Sequence, residues 1–215
     1  GSYEFTKVAY VETVKRAIGV ISAIVAGYWM FNEGDIARRL LGAKIKKVLR
    51  RAKLLIFELD SGYYLVFHLK MTGRVLYSQS GDTNADKAHI GFMLEDGTLL
   101  SFLDQRKFGY CALLSEKELN NWDFYATLGP EPLEMSEQEF IHIFSKRKAR
   151  IKSLLLDQKT IAGIGNIYAD EALFAAGIPP DAPACSLGRR RLTELFCSLK
   201  KVLQKAIDPG GSTFR

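Results

Sequence analysis

Ile161-Ala-Gly-Ile-Gly-Asn-Ile-Tyr-Ala-Asp-Glu-Ala-Leu-Phe-Ala-Ala-Gly-Ile178 says more about this chain than any other stretch. Gly163 and Gly165 allow tight, positive-φ backbone just ahead of Asn166. Asn166 then opens a helix whose first N–H groups have no intrahelical partner. Such a terminus can hold a phosphate with backbone donors and the helix dipole. Ile164, Ile167, Tyr168, Ala172, Ala175 and Ala176 fall on one stripe at helical spacing, so the helix is expected to be buried behind an exposed tip. Gly177 is the natural stop. The plainer alternative is a buried helix with an ordinary cap and a glycine turn.

The sequence around it is helical. Ser136-Glu-Gln-Glu139 reads as a capping box leading into Phe140, Ile143 and Phe144. Another helix is expected over Ile151-Lys-Ser-Leu-Leu-Leu156. Leu192, Leu195, Phe196, Leu199, Val202, Leu203 and Ala206 predict a long one ending at Pro209-Gly-Gly211. Upstream of Gly129-Pro-Glu-Pro132 the pattern changes to β. Lys44-Ile-Lys-Lys-Val-Leu49, Leu54-Leu-Ile-Phe-Glu-Leu59, Tyr64-Leu-Val-Phe-His-Leu69, Ile90-Gly-Phe-Met-Leu94, Thr98-Leu-Leu-Ser-Phe-Leu103 and the run from Phe108 to Leu114 are short branched and aromatic segments. Asp60-Ser-Gly62 and Glu95-Asp-Gly97 are hairpin turns between them. Val11, Val14, Ile18 and Ile21 suggest a short amphipathic helix before the strands, and Ile36 to Leu41 a second. The polar stretch from Gln79 to Asp86 reads as a loop. The expected fold class is α+β: an antiparallel β-sandwich with flanking helices over residues 1–126, then an all-helical domain over 127–215.

The 215 residues are 47% hydrophobic and 25% charged, which suits a globular chain and not a disordered one. No apolar run is long enough to span a membrane, and no signal-peptide pattern is present. Cys111, Cys185 and Cys197 lie far apart, so they read as reduced, buried thiols and not as a disulfide framework or zinc site. The net charge of +6 is clustered. Lys146-Arg-Lys-Ala-Arg-Ile-Lys152 runs toward the phosphate-tip candidate. Arg189-Arg-Arg191 and the cations between Lys44 and Lys53 are as compatible with solvated faces.

These elements in this order resemble the formamidopyrimidine-DNA glycosylase/endonuclease VIII family. The resemblance rests on Val11-Glu-Thr-Val-Lys-Arg16, Arg50-Arg-Ala-Lys53, His68-Leu-Lys-Met-Thr-Gly73, Asp104-Gln-Arg-Lys-Phe-Gly109, Leu128-Gly-Pro-Glu-Pro132, Ile151-Lys-Ser-Leu-Leu-Leu-Asp-Gln158, Gly163-Ile-Gly-Asn-Ile-Tyr-Ala-Asp-Glu171 and Gly210-Gly-Ser-Thr-Phe-Arg215. It implies a DNA-repair enzyme with a helix–two-turn–helix motif. The implied activity is excision of oxidised purines such as 8-oxoguanine or formamidopyrimidine, followed by AP-lyase β,δ-elimination. The implied partner is double-stranded DNA carrying an oxidised base or an abasic site, bound by a monomer in a bacterial cytoplasm, associated with the nucleoid.

Such enzymes evert the damaged nucleotide, and the resemblance assigns Met71, Arg106 and Phe108 to the void it leaves. A flexible thioether, a planar cation and an aromatic wedge suit that task. Asn166, Gly165 and Lys152 match the phosphate grip, and Arg147 matches a further backbone-contacting cation. Lys53 matches a lysine implicated in strand elimination. Lys87 stands where many relatives have histidine, and His89 matches the histidine just after it. His68 and His142 read as structural.

The family's nucleophile is an N-terminal proline followed by a general-acid glutamate. Here Thr6-Lys-Val-Ala-Tyr10 occupies that register, so neither residue can be carried over, and DNA binding with little or no glycosylase activity is expected. The four cysteines of the relatives' zinc finger have no counterpart either, so no cofactor is expected. The alternative reading is a non-catalytic DNA-binding module or protein scaffold on the same fold.

Overall fold

Two four-stranded antiparallel sheets account for the first half of the chain in the computed structural model, which describes residues 21–27, 33–70, 72–79 and 88–207. The strands are β1 (Ile21–Gly27), β2 (Ile45–Arg51), β3 (Leu54–Leu59), β4 (Tyr63–His68), β5 (Gly73–Gln79), β6 (Ile90–Leu94), β7 (Thr98–Asp104) and β8 (Tyr110–Ser115), with helix α1 (Glu33–Leu40) between β1 and β2. One sheet runs β1-β6-β7-β5 and the other β2-β3-β4-β8. Both Asp-Gly-type turns close as expected, on Gly62 at φ 80° and Gly97 at φ 79°.

The sheets pack through aromatic residues that alternate inward. Phe67 of β4 lies 5.6 Å from Phe57 of β3, and meets Phe92 of β6 at 6.2 Å and Phe102 of β7 at 5.4 Å between ring centroids. Phe57, Phe67 and Phe92 are fully buried, each contributing about 1.5–3 kcal/mol of transfer free energy. This is the interior of a β-sandwich.

Three details differ from the sequence reading. The helix through Val11, Val14 and Ile18 lies outside the described residues, and Ile21 opens β1 instead of ending a helix. β1 and β5 join the sheet although neither has a strong alternating signal. β8 begins at Tyr110, two residues later than expected, because Phe108 is 58% exposed and belongs to the preceding loop.

A boundary between Trp122 and Asp123 separates the sandwich, with α2 (Glu116–Asn121) at its end, from a helical unit. That unit contains α3 (Asp123–Ala126), α4 (Glu137–Phe144), α5 (Ile151–Leu156), α6 (Asn166–Ala175), a 3₁₀ turn (Ala184–Ser186) and α7 (Arg189–Ile207). The expected capping box at the start of α4 is present in full. Ser136 Oγ accepts from the Glu139 N–H, and Glu139 accepts from the Ser136 N–H. The core unites Phe140 and Phe144 of α4, Leu154 and Leu155 of α5, Tyr168, Ala169, Ala172 and Leu173 of α6, and the stripe of α7. The fold is therefore α+β, a sandwich followed by a helical unit.

Residues 129–132, where the sequence pattern changes, are built into the helical unit. The Gly129 N–H donates to Gln158 O at 2.8 Å, and the Ala162 N–H to Pro130 O at 2.9 Å. A Cβ on Gly129 would sit 2.7 Å from Lys159 O, so only glycine fits that approach. The cysteines are free, but only Cys111 is buried; Cys185 and Cys197 are exposed. Cys197 lies between the buried positions 195 and 199 of α7, on the helix's outer face.

Candidate nucleic-acid interface

The 157–165 loop joins α5 to α6 and sets the attitude of the α6 start. Gln158 organises it from within. Its Nε2 donates to Leu156 O at 2.9 Å and Ile164 O at 3.1 Å, while its Oε1 accepts from the Gly163 N–H at 2.9 Å. Gly163 takes φ 89°, as its position predicted, whereas Gly165 sits at φ −112° and serves as the N-cap. No capping side chain occupies the start of α6, and Asn166, its first residue, is exposed. The buried face of α6 is Tyr168, Ala169, Ala172 and Leu173. Ala175 of the expected stripe is exposed and Ile167 only half-buried, because a helix rich in alanine leaves its facing poorly marked. The exposed tip over a buried helix holds.

Cations lie on the elements packed around this helix. Lys152 of α5 reaches the first turns of α6, but its Nζ is engaged with Asp170, at 2.7 Å from one carboxylate oxygen and 2.9 Å from the other. Asp170 lies four residues after Asn166, on the same helix face. Arg147 is exposed on the turn after α4. Its charge helps hold the Asp157 carboxyl below the usual range, the main cause being a hydrogen bond from the Thr160 hydroxyl at 2.6 Å. Arg191, one of the three consecutive arginines, turns inward to donate to Gly177 O at 2.7 Å behind α6.

In the sandwich, the remaining candidates sit on turns. Lys53 is half-buried in the β2–β3 turn; Arg106 and Phe108 lie on the 104–109 loop after β7; His89 immediately precedes β6. Met71 and Lys87 lie outside the described residues. Arg106 places its guanidinium 5.1 Å above the Phe108 ring, a cation–π stack on an exposed loop. His89 Nδ1 accepts from the Asp104 N–H at 3.2 Å, so a neutral His89 carries its proton on Nε2. Ala52, Lys70 and Lys107 are the non-glycine residues with positive φ among the described residues, at 52°, 46° and 55°. Each directly adjoins a candidate: Lys53, Met71, or Arg106 and Phe108. Left-handed backbone at ordinary residues costs of order 1 kcal/mol and clusters at working loops.

Sequence reasoning missed the supports of these groups: Asp104 and Thr72 under the 104–109 loop, Gln158 inside the 157–165 loop, and Asp170 on Lys152. Only Gln158 and Asp104 had a visible signal, as polar residues flanking apolar strand and helix runs.

The N-terminal domain of formamidopyrimidine-DNA glycosylase matches residues 8–111, and its H2TH domain matches residues 128–215. The formamidopyrimidine-DNA glycosylase of Caulobacter vibrioides is 38% identical over 228 residues, covering 95% of this chain and 79% of that protein. This chain belongs to the formamidopyrimidine-DNA glycosylase family. The glycosylase of Nitratidesulfovibrio vulgaris is 47% identical over 156 residues, covering 73% of this chain and 43% of that protein. Among solved structures, Lactococcus lactis Fpg in complex with DNA containing an abasic site superposes with a TM-score of 0.86 at 32% identity, covering 99% of this chain and 82% of that one. MutM in complex with DNA containing carbocyclic 8-oxo-G gives the same TM-score and identity over 100% of this chain. Glycosylase family membership thus rests on both halves of the chain, and the family is one of DNA base-excision repair.

Proposed function

We propose that this chain acts in DNA base-excision repair by recognising duplex DNA that carries an oxidised purine or an abasic site. The observation that carries this is Phe108. A phenylalanine 58% exposed, stacked under an arginine on a tight left-handed loop, costs free energy in water and gains it when inserted between bases. Arg106 supplies the donors that an orphaned base would accept from. Asn166 and the first amides of α6 suit a phosphate, with Arg147 and Lys152 adding charge. Lys53, on its own constrained turn, is the cation we assign to the elimination chemistry of the family. His89 supports the 104–109 loop from beneath and needs no direct DNA contact for that.

Recognition by these side chains needs no metal or cofactor and one copy of the chain. Among the described residues no helix is long and apolar enough to cross a membrane. A DNA substrate places the work at the bacterial nucleoid. The expectation of little or no glycosylase activity concerns residues 6–10, which lie outside the described residues.

Fluorescence anisotropy tests the proposal, using one duplex intact and the same duplex with a single tetrahydrofuran abasic analogue. Binding is expected to weaken steeply with salt and to favour the abasic duplex. Asn166→Ala should weaken both duplexes alike, by about tenfold. Arg106→Ala should mainly erode the abasic preference. A chain with no salt-dependent affinity and no preference would overturn this reading in favour of a scaffold.

A further inference from the structure

The 104–109 loop offers two side chains to DNA, stacked on each other as described above. Its backbone is tied to a buried acid. Asp104, the last residue of β7, is 2% exposed. Its Oδ2 accepts from the Gly109 N–H at 2.5 Å, and its Oδ1 accepts from the Arg106 N–H at 3.3 Å and from the Thr72 hydroxyl. Thr72 Oγ1 in turn accepts from the same Arg106 N–H at 3.2 Å, and the Lys107 N–H donates to Asp104 O at 3.0 Å. One carboxylate therefore closes both ends of the loop and ties it to the 69–73 turn. Gly109 is pressed onto it so closely that a Cβ there would lie 3.0 Å from Asp104 Oδ2 and 2.9 Å from Phe102 Cζ.

We propose that Asp104 is the positioning residue that pre-sets Arg106 and Phe108, and that through them it governs the preference for abasic or damaged duplex over intact duplex. This rests on the function proposed above. The chemistry requires a carboxylate. Each oxygen meets at least one backbone N–H, so an acceptor-only group satisfies both ends. Asparagine cannot. Whichever way its amide is turned, its NH₂ faces the N–H of Arg106 or of Gly109: the first leaves Arg106 on Thr72 Oγ1 alone, the second frees Gly109.

Asp104→Asn is tested in the full chain by two measurements. The first is amide hydrogen exchange without DNA. Exchange at Gly109 or Arg106, whichever meets the NH₂, should quicken by about tenfold or more, while Val75 and Phe102 in the β5–β7 ladder stay protected. Unchanged exchange at those two amides, or equal loosening of the whole sheet, would overturn the proposal. The second is the abasic-to-intact affinity ratio, expected to fall about fivefold to tenfold. Asp104→Asn added to a variant carrying both Arg106→Ala and Phe108→Ala should lower the ratio no further, since Asp104 acts through those two side chains. An unchanged ratio in Asp104→Asn, or fully multiplying effects, would refute it. Should Asp104→Asn fail to fold, Thr72→Val keeps the carboxylate and removes one donor to it and one acceptor of the Arg106 N–H. It should quicken Arg106 exchange to a smaller degree, and no change would overturn the proposal. If the unaltered chain shows no abasic preference, the DNA reading fails, and hydrogen exchange alone still decides whether Asp104 sets the loop.

Discussion

Replacing Gln158 separates the loop that presents α6 from the helix itself. Gln158→Ala removes three hydrogen bonds of 2.9, 3.1 and 2.9 Å and leaves the Gly163 N–H and the Ile164 and Leu156 carbonyls to find other partners. At about 1 kcal/mol net per bond, and with water able to reach a half-buried site, the loss is about 2–3 kcal/mol. For a chain of this size that lowers Tm by about 4–12 °C. Gln158→Glu should be worse than alanine at pH 7, because a carboxylate oxygen then faces two carbonyl oxygens. Its acid form regains a donor, so the fold raises that carboxyl above its unfolded value. The extra penalty is thus full above the folded pKa and disappears as pH falls below the unfolded glutamate range. Thermal melts of both variants at pH 7 and pH 4 check the order, and duplex anisotropy should show weaker binding in parallel, since the α6 tip is no longer braced. An alanine variant melting within about 1 °C of the parent would refute the bracing role. So would a glutamate variant as stable as alanine at pH 7.

Asp170→Asn should release Lys152, steepening the plot of log affinity against log salt by about one unit and tightening binding at low salt; an unchanged slope would show that the ion pair does not hold Lys152 back from the phosphate. The Ser136 backbone N–H and hydroxyl hold Glu139 below its ordinary value of 4.5. Its contribution is therefore present above that value and lost as pH falls through the lowered one. Glu139→Ala should accordingly destabilise at pH 7 and make little difference near pH 3, read from paired melts. Burial pushes the Tyr110 hydroxyl up to about 12. The unfolded chain then ionises first, and stability falls as pH rises above about 10. Tyr110→Phe should flatten the alkaline limb of the stability profile relative to the parent.

The sequence exposed most of the architecture because its strongest signals were local. The hairpin turns at Gly62 and Gly97, the Ser136–Glu139 box and the stripe of α7 all act within a few residues. β1, Ile21-Ser-Ala-Ile-Val-Ala-Gly27, escaped because small residues give no clear two-residue alternation. β5 escaped because it starts on glycine and runs into a polar stretch. Phe108 read as strand because an apolar side chain carries no label saying whether it faces core or solvent. The helical tip at Asn166 was legible from its glycines. The groups that hold the candidate side chains were not, because Thr72 meets Asp104 across 32 residues and Lys152 meets Asp170 across 18. Such pairs exist only once the chain is folded.

The left-handed residues Ala52, Lys70 and Lys107 bear on how this surface can change over time. The shape around Lys107 is held by main-chain N–H groups, Lys107 N–H to Asp104 O and Gly109 N–H to the buried Asp104 carboxylate, and does not depend on the side chains of Arg106 and Phe108. Arg106 and Phe108 can therefore be exchanged one at a time while the rim keeps its outline. Variation at the tips is uncoupled from variation in the frame, so such a loop can acquire new tastes in DNA without relearning how to fold.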